Sequence, residues 1–328
     1  MLKRQFDYEH KYQSLKQKVD ELKDTSSNLE FDLSQEFEEL EKKMNGLRAH
    51  KYEQLTPWEK ILLVRQLDRP TTRDYVEALC DEWIELHGDR YFGDDRAIFG
   101  GIGSFKGKAV TILGHQKGNN TGENIRNNFG MAHPEGYRKV ERLLLQAEKF
   151  KRPVLTFIDT SGAYPGVGAE ERGQAWAISR VLMTLSALKV PVVAVVTGEG
   201  GSGGALALAV SDRLLMFAHA VFSVASSEAC ASILWKDPER AEEMASALKI
   251  TAQDLYEFGL IDEIIPEPPG GVQQDLNGTA LILGNSIKKH LDQLHALKTE
   301  ELLELRYQKL RIYHGDNLKG TRGSLDIF

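Results

Sequence analysis

Five glycines lie within the seven residues 198–204, which read Gly-Glu-Gly-Gly-Ser-Gly-Gly. The β-branched run at 190–196 before them predicts a buried strand. The alanine- and leucine-rich residues 205–210 after them predict a helix. The first N–H groups of a helix have no partner within it and lie at the positive end of its dipole. Because glycine lets a substrate oxygen come close to such N–H groups, the segment predicts a backbone site for a negatively charged oxygen.

A second loop of small residues follows the predicted strand at 154–158 and continues to about residue 172. In open α/β sheets, ligands bind beyond the carboxyl ends of the strands. We therefore expect this loop and the glycine-rich segment to line one cleft. Some glycine-rich turns serve only to pack a helix closely against a strand. This purely structural interpretation is weaker here, because two such loops follow successive strands.

The glycine-rich segment also matches the G-x-S-x-G pattern of serine hydrolases, with Ser202 as nucleophile. That chemistry needs an acid and then a histidine later in the chain. His219 follows too closely to leave room for the acid, and the other candidates lie in helical or C-terminal sequence, at His290, His295 and His314. A nucleotide P-loop is excluded because no Lys-Ser or Lys-Thr follows the glycines. A serine hydrolase stays open as an alternative.

Other charged residues give weaker signals. His115 ends a predicted strand, and we interpret it as a hydrogen-bonded structural residue rather than as a general base or a ligand. Solvated charge is the default for Lys117, although it could contact an anionic cofactor, as could Arg126 and Arg138. We expect the glutamates to cap loops and pair with Arg172 rather than to act as acid and base; they are Glu170, Glu171 and Glu199.

Composition excludes several functional classes. The net charge of −7 over 328 residues argues against nucleic-acid binding. Cys80 and Cys230 cannot form a zinc ribbon and indicate a reducing compartment, and no metal-ligand spacing is present. No apolar run approaches the roughly 20 residues of a membrane span. The N-terminus lacks a signal sequence, which indicates a cytoplasmic protein.

Alternating strand and helix patterns predict an α/β core with parallel strands. Residues 1–48 predict an antiparallel helical hairpin, with apolar stripes at Leu15, Val19, Leu22, Leu33, Phe37, Leu40, Met44 and Leu47. Further helices are predicted from Thr56, from Thr71 to Gly88, and over 136–150, 170–188, 251–259 and 279–312. Further strands are predicted at 98–105, 109–113, 154–158, 191–196, 214–217, 221–224 and 260–265.

Several segments together resemble the alpha subunits of bacterial and plastid acetyl-CoA carboxylase carboxyltransferases. They are residues 114–118 (GHQKG), 128–131 (NFGM), 136–139 (GYRK), 157–160 (FIDT), 162–166 (GAYPG), 198–206 (GEGGSGGAL), 233–237 (ILWKD) and 264–268 (IIPEP). These segments occur in the family's order and spacing.

The resemblance implies a crotonase-like spiral of strand–strand–helix units with an N-terminal helical hairpin. It also implies transfer of a carboxyl group from carboxybiotin, on a biotin carboxyl carrier protein, to acetyl-CoA, which gives malonyl-CoA for fatty acid synthesis. A zinc-ribbon beta subunit would complete a dimer of heterodimers, in the cytoplasm or in the plastid stroma. Another acyl-CoA stays open as the substrate. The implied organisation is an arm over 1–55, a carboxyltransferase domain over 56–312 and a flexible tail over 313–328.

The resemblance also implies residue roles. The N–H groups of Gly203 and Gly204 would form the oxyanion hole for the ureido oxygen of biotin. The biotin pocket would be formed by Gly162, Ala163, Tyr164, Pro165, Gly166, Gly200, Gly201 and Lys117. The chain departs from the family at Ser161 and Ser227, where proline is usual, and at Asn119 and Gly122, where basic residues are common. The last two departures weaken any phosphate contact by that loop.

Overall fold

The computed structural model describes residues 8–26 and 33–312; the predicted tail at 313–328 lies outside the described residues. The helices are α1 (Tyr8–Ser26), α2 (Ser34–Glu53), α3 (Pro57–Val64), α4 (Thr72–Leu79), α5 (Thr121–Arg126), α6 (Pro134–Lys149), α7 (Val167–Glu171), α8 (Gln174–Ala187), α9 (Ser202–Ala209), α10 (Ser227–Trp235), α11 (Ala241–Ala247), α12 (Ala252–Glu257), α13 (Leu276–His295) and α14 (Thr299–Ile312). The strands are β1 (Cys80–Glu85), β2 (Ile98–Phe105), β3 (Lys108–His115), β4 (Val154–Thr160), β5 (Val192–Gly201), β6 (Arg213–Phe217), β7 (Val221–Ser223) and β8 (Glu263–Ile265).

The N-terminal arm consists of α1 and α2, the two helices predicted there. Glu9 joins the helices because it forms an ion pair with Arg48 and accepts a 3.0 Å hydrogen bond from the Tyr52 hydroxyl. In the predicted apolar stripes Val19 and Met44 are buried, whereas four leucines are exposed: Leu15, Leu22, Leu40 and Leu47. The apolar seam between the two helices is therefore narrow, and polar contacts supplement it.

In the described part of the chain, eight strands form one sheet in the order β1-β2-β3-β4-β5-β6-β8, with β7 paired to β5. The pairings β1–β2 and β2–β3 are antiparallel, and all pairings from β3 to β8 are parallel. Strands β4 and β5 are buried along their whole length, as β-branched runs covered on both faces should be. The predicted α/β core with parallel strands is confirmed.

Strand β5 changes its neighbour halfway along its length. Its residues 193–196 pair with β6, whereas residues 199–201 pair with β7. Against β4, Ile158 lies opposite Val196 and Thr160 opposite Gly200, so residues 197–199 bulge opposite the single residue Asp159. Bulges often lie beside active sites, where they redirect the end of a strand. This bulge directs the glycine-rich end of β5 away from β6.

The prediction of a glycine turn over 198–204 is wrong in its bounds. Gly200 and Gly201 continue β5, because they pair with Phe222 and Ser223 of β7, and α9 begins directly at Ser202. The helix predicted over 170–188 is two helices, α7 and α8. The break is at Gly173, whose left-handed φ of 81° interrupts the helix.

Two further helix bounds differ from the sequence patterns. The helix that opens at Thr71 ends at Leu79 rather than at Gly88, because the chain then joins the edge of β2 as β1, where the Trp83 ring packs against Phe99. The predicted helix at 279–312 is α13 followed by α14. The turn between them lets α14 bring Arg306 to the buried Asp212, 2.8 Å away.

Candidate functional site

Helix α9 starts with N–H groups that no side chain caps. The residue before the helix, Gly201, has no side chain, and no side-chain cap hydrogen bond is present. Gly203 and Gly204 are the second and third residues of the helix, where N–H groups have no intrahelical partner and the dipole is positive. Gly203 is half-buried and Gly204 is buried. The structure therefore supplies backbone donors, and Gly203 is the more accessible of the two residues.

The two predicted loops are in contact at this helix start. A Cβ on Gly204 would lie 2.5 Å from both the nitrogen of Ala163 and the carbonyl carbon of Gly162. A Cβ on Gly203 would meet only Ile178 Cδ1, at 4.0 Å. The Thr160 hydroxyl fixes the loop, because it donates to the Gly162 carbonyl at 2.7 Å. One side of the helix start is thus closed by the loop, and the other has free space.

Tyr164 gives the loop an aromatic surface. Its ring stacks on His133 with 4.1 Å between centroids and 26° between planes. Its N–H donates to the Ala132 carbonyl at 3.0 Å, and its carbonyl accepts from Gln174 at 3.0 Å. Tyr164 and Gly166 are half-buried, and Pro165 is exposed. The loop is held from both sides and still presents surface at its tip.

The remaining predicted pocket residues lie behind this surface. Gly200 and Gly201 are buried within β5, so they position the helix start. The Lys117 ammonium lies 2.6 Å from Asp159 Oδ1, with the side chain 18% exposed. The structure therefore gives Lys117 a carboxylate partner within the chain, and its role toward a cofactor stays a prediction.

The prediction that Arg172 pairs with neighbouring glutamates is wrong. Its guanidinium lies 2.7 Å from Glu135 on α6, a partner 37 residues earlier in the chain. Glu199 is instead paired with Arg65 on α3, at 2.6 Å. Of the other predicted cations, Arg138 pairs with Asp89 at 2.7 Å. These residues pair with distant residues rather than with their sequence neighbours, because the fold brings α3 and α6 beside these loops.

His115 is buried, which agrees with the predicted structural role, but the hydrogen bonds predicted for its ring are not found among the described residues. Its side chain is fully buried, and within the described chain neither ring nitrogen has a hydrogen-bond partner. Burial lowers the pKa of His115 to about 3, and the nearby backbone of Gly204 and Phe157 opposes this shift only partly. The imidazole is therefore neutral at physiological pH and packs behind the helix start.

Ser202 resembles a nucleophile in its backbone but not in its partners. It joins β5 to α9 with a φ of 52°, and its side chain is exposed. A nucleophilic serine needs a histidine within hydrogen-bond reach. In residues 8–26 and 33–312 no histidine is hydrogen-bonded to Ser202; His115 is sealed and His219 lies beside Glu267. The predicted His314 lies outside the described residues. Nothing in the described geometry supports the hydrolase alternative.

Sequence reasoning missed the groups that stabilise the bulge in β5. Asp159 Oδ1 accepts the Glu199 N–H at 2.8 Å. Arg69 donates to the Thr197 carbonyl at 2.6 Å and pairs with Glu267 at 2.9 Å, both side chains being essentially unexposed. The position of Asp159 at the end of a buried strand was the available signal, since a charge there needs a partner.

A polar cavity of about 490 Å³ lies on the other side of Lys117. Its lining includes Arg73, Arg96 and Asn119, and neither the loop at 162–166 nor the glycines of α9 contribute to it. The cavity is therefore separate from the helix start.

Fold and site together define a crotonase-like α/β protein with backbone donors at a helix start. A family model described as acetyl co-enzyme A carboxylase carboxyltransferase-like matches residues 5–314. The acetyl-coenzyme A carboxylase carboxyl transferase subunit alpha of Syntrophomonas wolfei is 64% identical over 311 residues, covering 95% of this chain and 98% of that protein. The chain belongs to this carboxyltransferase family, and the resemblance seen in its motifs is confirmed.

Solved structures share the fold at low sequence identity. A chain of a Pseudomonas malonate decarboxylase hetero-tetramer, solved with coenzyme A, has a TM-score of 0.61 at 14% identity, covering 77% of this chain and 98% of that chain. Transcarboxylase 12S has a TM-score of 0.54 at 18% identity, covering 69% of this chain and 44% of that chain. These likenesses confirm the predicted crotonase-like fold and show the fold alone.

Two other classes of site are not found in the described residues. No helix there is both long and apolar enough to cross a bilayer. In the same residues, no group of three or more His, Cys, Asp or Glu side chains is placed to hold a metal ion. Cys80 and Cys230 are free thiols.

Proposed function

We propose that this chain is the biotin-side subunit of an acetyl-CoA carboxylase carboxyltransferase, which moves a carboxyl group from carboxybiotin to acetyl-CoA and forms malonyl-CoA. Carboxybiotin supplies the carboxyl group, and its ureido oxygen gains negative charge when the N–CO₂ bond breaks. A site for this step needs donors aimed at one oxygen. The uncapped N–H groups of Gly203 and Gly204 at the start of α9 carry the proposal.

The surrounding residues fit a ring-shaped cosubstrate. Tyr164, stacked on His133, gives the loop that contacts the helix start an aromatic ring. Gly162 and Ala163 close one side, because they contact Gly204 directly. Pro165 is the exposed tip of the loop and Gly166 beside it is half-buried, while Gly200 and Gly201 position the helix start from within β5.

The partners follow from the family. We propose a zinc-ribbon beta subunit that supplies the acyl-CoA half of the site, in a dimer of heterodimers, and a biotin carboxyl carrier protein that delivers carboxybiotin. The half-buried position of Gly203, where an added Cβ would meet only Ile178 Cδ1 at 4.0 Å, is compatible with a site that a second chain completes. We place the assembly in the cytoplasm. Selection among acyl-CoA substrates would lie mainly in the beta subunit, so a different acyl-CoA is the second candidate substrate.

The proposal is tested by co-expressing the chain with a zinc-ribbon beta subunit. The complex should decarboxylate malonyl-CoA in a manner that depends on added biotin, and the isolated chain should not. A purified, correctly assembled complex without this activity would refute the proposal. A complex active only with another malonyl-CoA homologue would establish the second candidate.

The oxyanion role has a test with a matched control at one position. Gly203→Pro removes one N–H donor at a first-turn position, where proline costs no intrahelical hydrogen bond. Gly203→Ala adds a Cβ in free space and keeps the donor. Loss of one such donor costs about 10²–10³ in rate. We therefore expect Gly203→Pro to fall at least about 100-fold below Gly203→Ala in kcat; equal activity in two folded variants would exclude the role.

A further inference from the structure

The bulge in β5 leaves buried backbone groups without hydrogen-bond partners in the sheet. At residues 197–199 the ladder with β4 is interrupted, opposite Asp159. The Thr197 carbonyl is taken by Arg69, and the Glu199 N–H donates to Asp159 Oδ1 at 2.8 Å. Buried backbone groups without partners cost free energy comparable to a lost hydrogen bond. Asp159 therefore stabilises the bent course of β5 immediately before the glycines that begin α9.

The Asp159 carboxylate is built into its place. Its side chain is 7% exposed, and Oδ1 also lies 2.6 Å from the Lys117 ammonium, which compensates its charge. Gly198 makes room for it, because any Cβ there would collide with the carboxylate. At Gly130 a Cβ would lie 3.2 Å from Lys117 Cγ and 2.8 Å from the Asp159 carbonyl oxygen. Four segments of the chain therefore pack closely around this ion pair, namely those that contain Lys117, Gly130, Asp159 and Gly198.

We propose that Asp159 and Lys117 are positioning residues for the carboxyl transfer: their ion pair holds the bulge in β5 and so sets where the N–H groups of Gly203 and Gly204 point. This inference rests on the proposed function. Lys117 then acts through Asp159 and Glu199 rather than by touching the cosubstrate. The oxyanion donors lie four and five residues beyond Glu199, along a strand that runs directly into the helix.

Positioning through Asp159 and direct contact with the cosubstrate are two roles for Lys117 that predict different kinetic effects. Lys117→Met leaves a carboxylate without its cation, and Asp159→Asn leaves an ammonium without its anion. A displacement of about 1 Å at an active site costs about 100-fold in rate. We therefore expect each single variant to lose about 10- to 100-fold in kcat, with the KM for free biotin within about threefold of wild type. Contact with the cosubstrate would instead raise that KM.

The double variant carrying both changes is the decisive measurement. It restores a neutral pair, and Asn can still accept the Glu199 N–H, so most of the lost kcat should return. Lys309→Met is the matched control, because Lys309 is 19% exposed and its ion pair with Asp262 spans 2.5 Å at a different place in the fold. That control should keep wild-type kcat.

The assay is biotin-dependent malonyl-CoA decarboxylation by the assembled complex, with thermal midpoints measured in parallel. If a single variant does not assemble with the beta subunit, the double variant alone tests the inference. A positioning role predicts that the kcat of the double variant lies within about threefold of wild type. The inference is overturned if Lys117→Met raises the KM for biotin about tenfold at unchanged kcat, if the double variant stays as slow as the singles, or if the singles match Lys309→Met. An inactive wild-type complex would refute the proposed function instead.

Discussion

Replacing Gly204 by alanine is the most direct perturbation of the contact between the loop at 162–166 and the start of α9. The new Cβ would lie 2.5 Å from the Ala163 nitrogen and the Gly162 carbonyl carbon, whereas ordinary contact begins at 3.4 Å. One of the two segments must therefore move by about 0.9 Å, the difference between these distances. Both contacts are with backbone atoms, so no flexible side chain can rotate away.

The magnitudes follow from that displacement. Overpacking a well-packed site costs about 1–3 kcal/mol of folding free energy. The entropy of unfolding is about 2.1 cal/mol/K per residue, so for 328 residues each kcal/mol lowers the thermal midpoint by about 1.5 °C, and a fall of about 1.5–4.5 °C is expected. Misplacement by about 1 Å lowers an enzymatic rate by about 100-fold. Gly204→Ala should thus lose about 100-fold in kcat while the chain remains folded at the assay temperature.

The assay combines thermal unfolding of the chain with biotin-dependent decarboxylation by the assembled complex. Gly203→Ala is the control, since its Cβ meets only one atom, at 4.0 Å. Alanine within a helix is about 0.5–1 kcal/mol more favourable than glycine, so this control should be at least as stable as wild type. Wild-type kcat in Gly204→Ala, together with a lowered thermal midpoint, would mean that the loop contact serves packing and not catalysis.

Two further predictions concern stability. Arg306→Met should cost about 3–5 kcal/mol in urea unfolding, because it leaves Asp212 buried without a cation, whereas the exposed Arg311→Met on the same helix should cost little. Burial holds the pKa of His115 at about 3 in the folded chain, below the value of about 6.5 in the unfolded chain, so stability should fall as the pH drops below about 6.5. His115→Gln should reduce the dependence of the unfolding free energy on pH by up to about 1.4 kcal/mol per pH unit above pH 4. The same substitution at the exposed His50 should leave that dependence unchanged. An unchanged pH dependence in His115→Gln would mean that His115 titrates normally.

The elements that the sequence predicted well have local causes. Strands β4 and β5 are continuous apolar runs, and both are buried throughout. The helices predicted from Thr56 and Thr251 begin with capping boxes, in which each threonine side chain accepts a backbone N–H three residues later. The donors at Gly203 and Gly204 were also predictable, since any helix that follows a glycine lacks a side-chain cap.

The features that the sequence could not reveal depend on distant pairings. Five glycines in seven residues favour a turn, yet β7 supplies ladder partners that keep Gly200 and Gly201 in a strand. Arg172 has glutamates beside it in sequence but pairs with Glu135 on another helix. Arg69 meets Glu267 across 198 residues of chain. Local pattern gives no information about such contacts, because the sheet order decides them.

The electrostatics of the site follow from those distant pairings. Three carboxylates lie near the end of β5, and each could repel an oxyanion. Each is matched by a cation from another segment: Asp159 by Lys117, Glu199 by Arg65 and Glu267 by Arg69. An acid–base pair in contact has a field that falls off faster than that of a single charge. With these charges paired, the uncapped N–H groups at the start of α9 keep the positive potential of a helix N-terminus. In the proposed reaction the ureido oxygen would be stabilised there by backbone atoms, whose charge no change of pH can titrate.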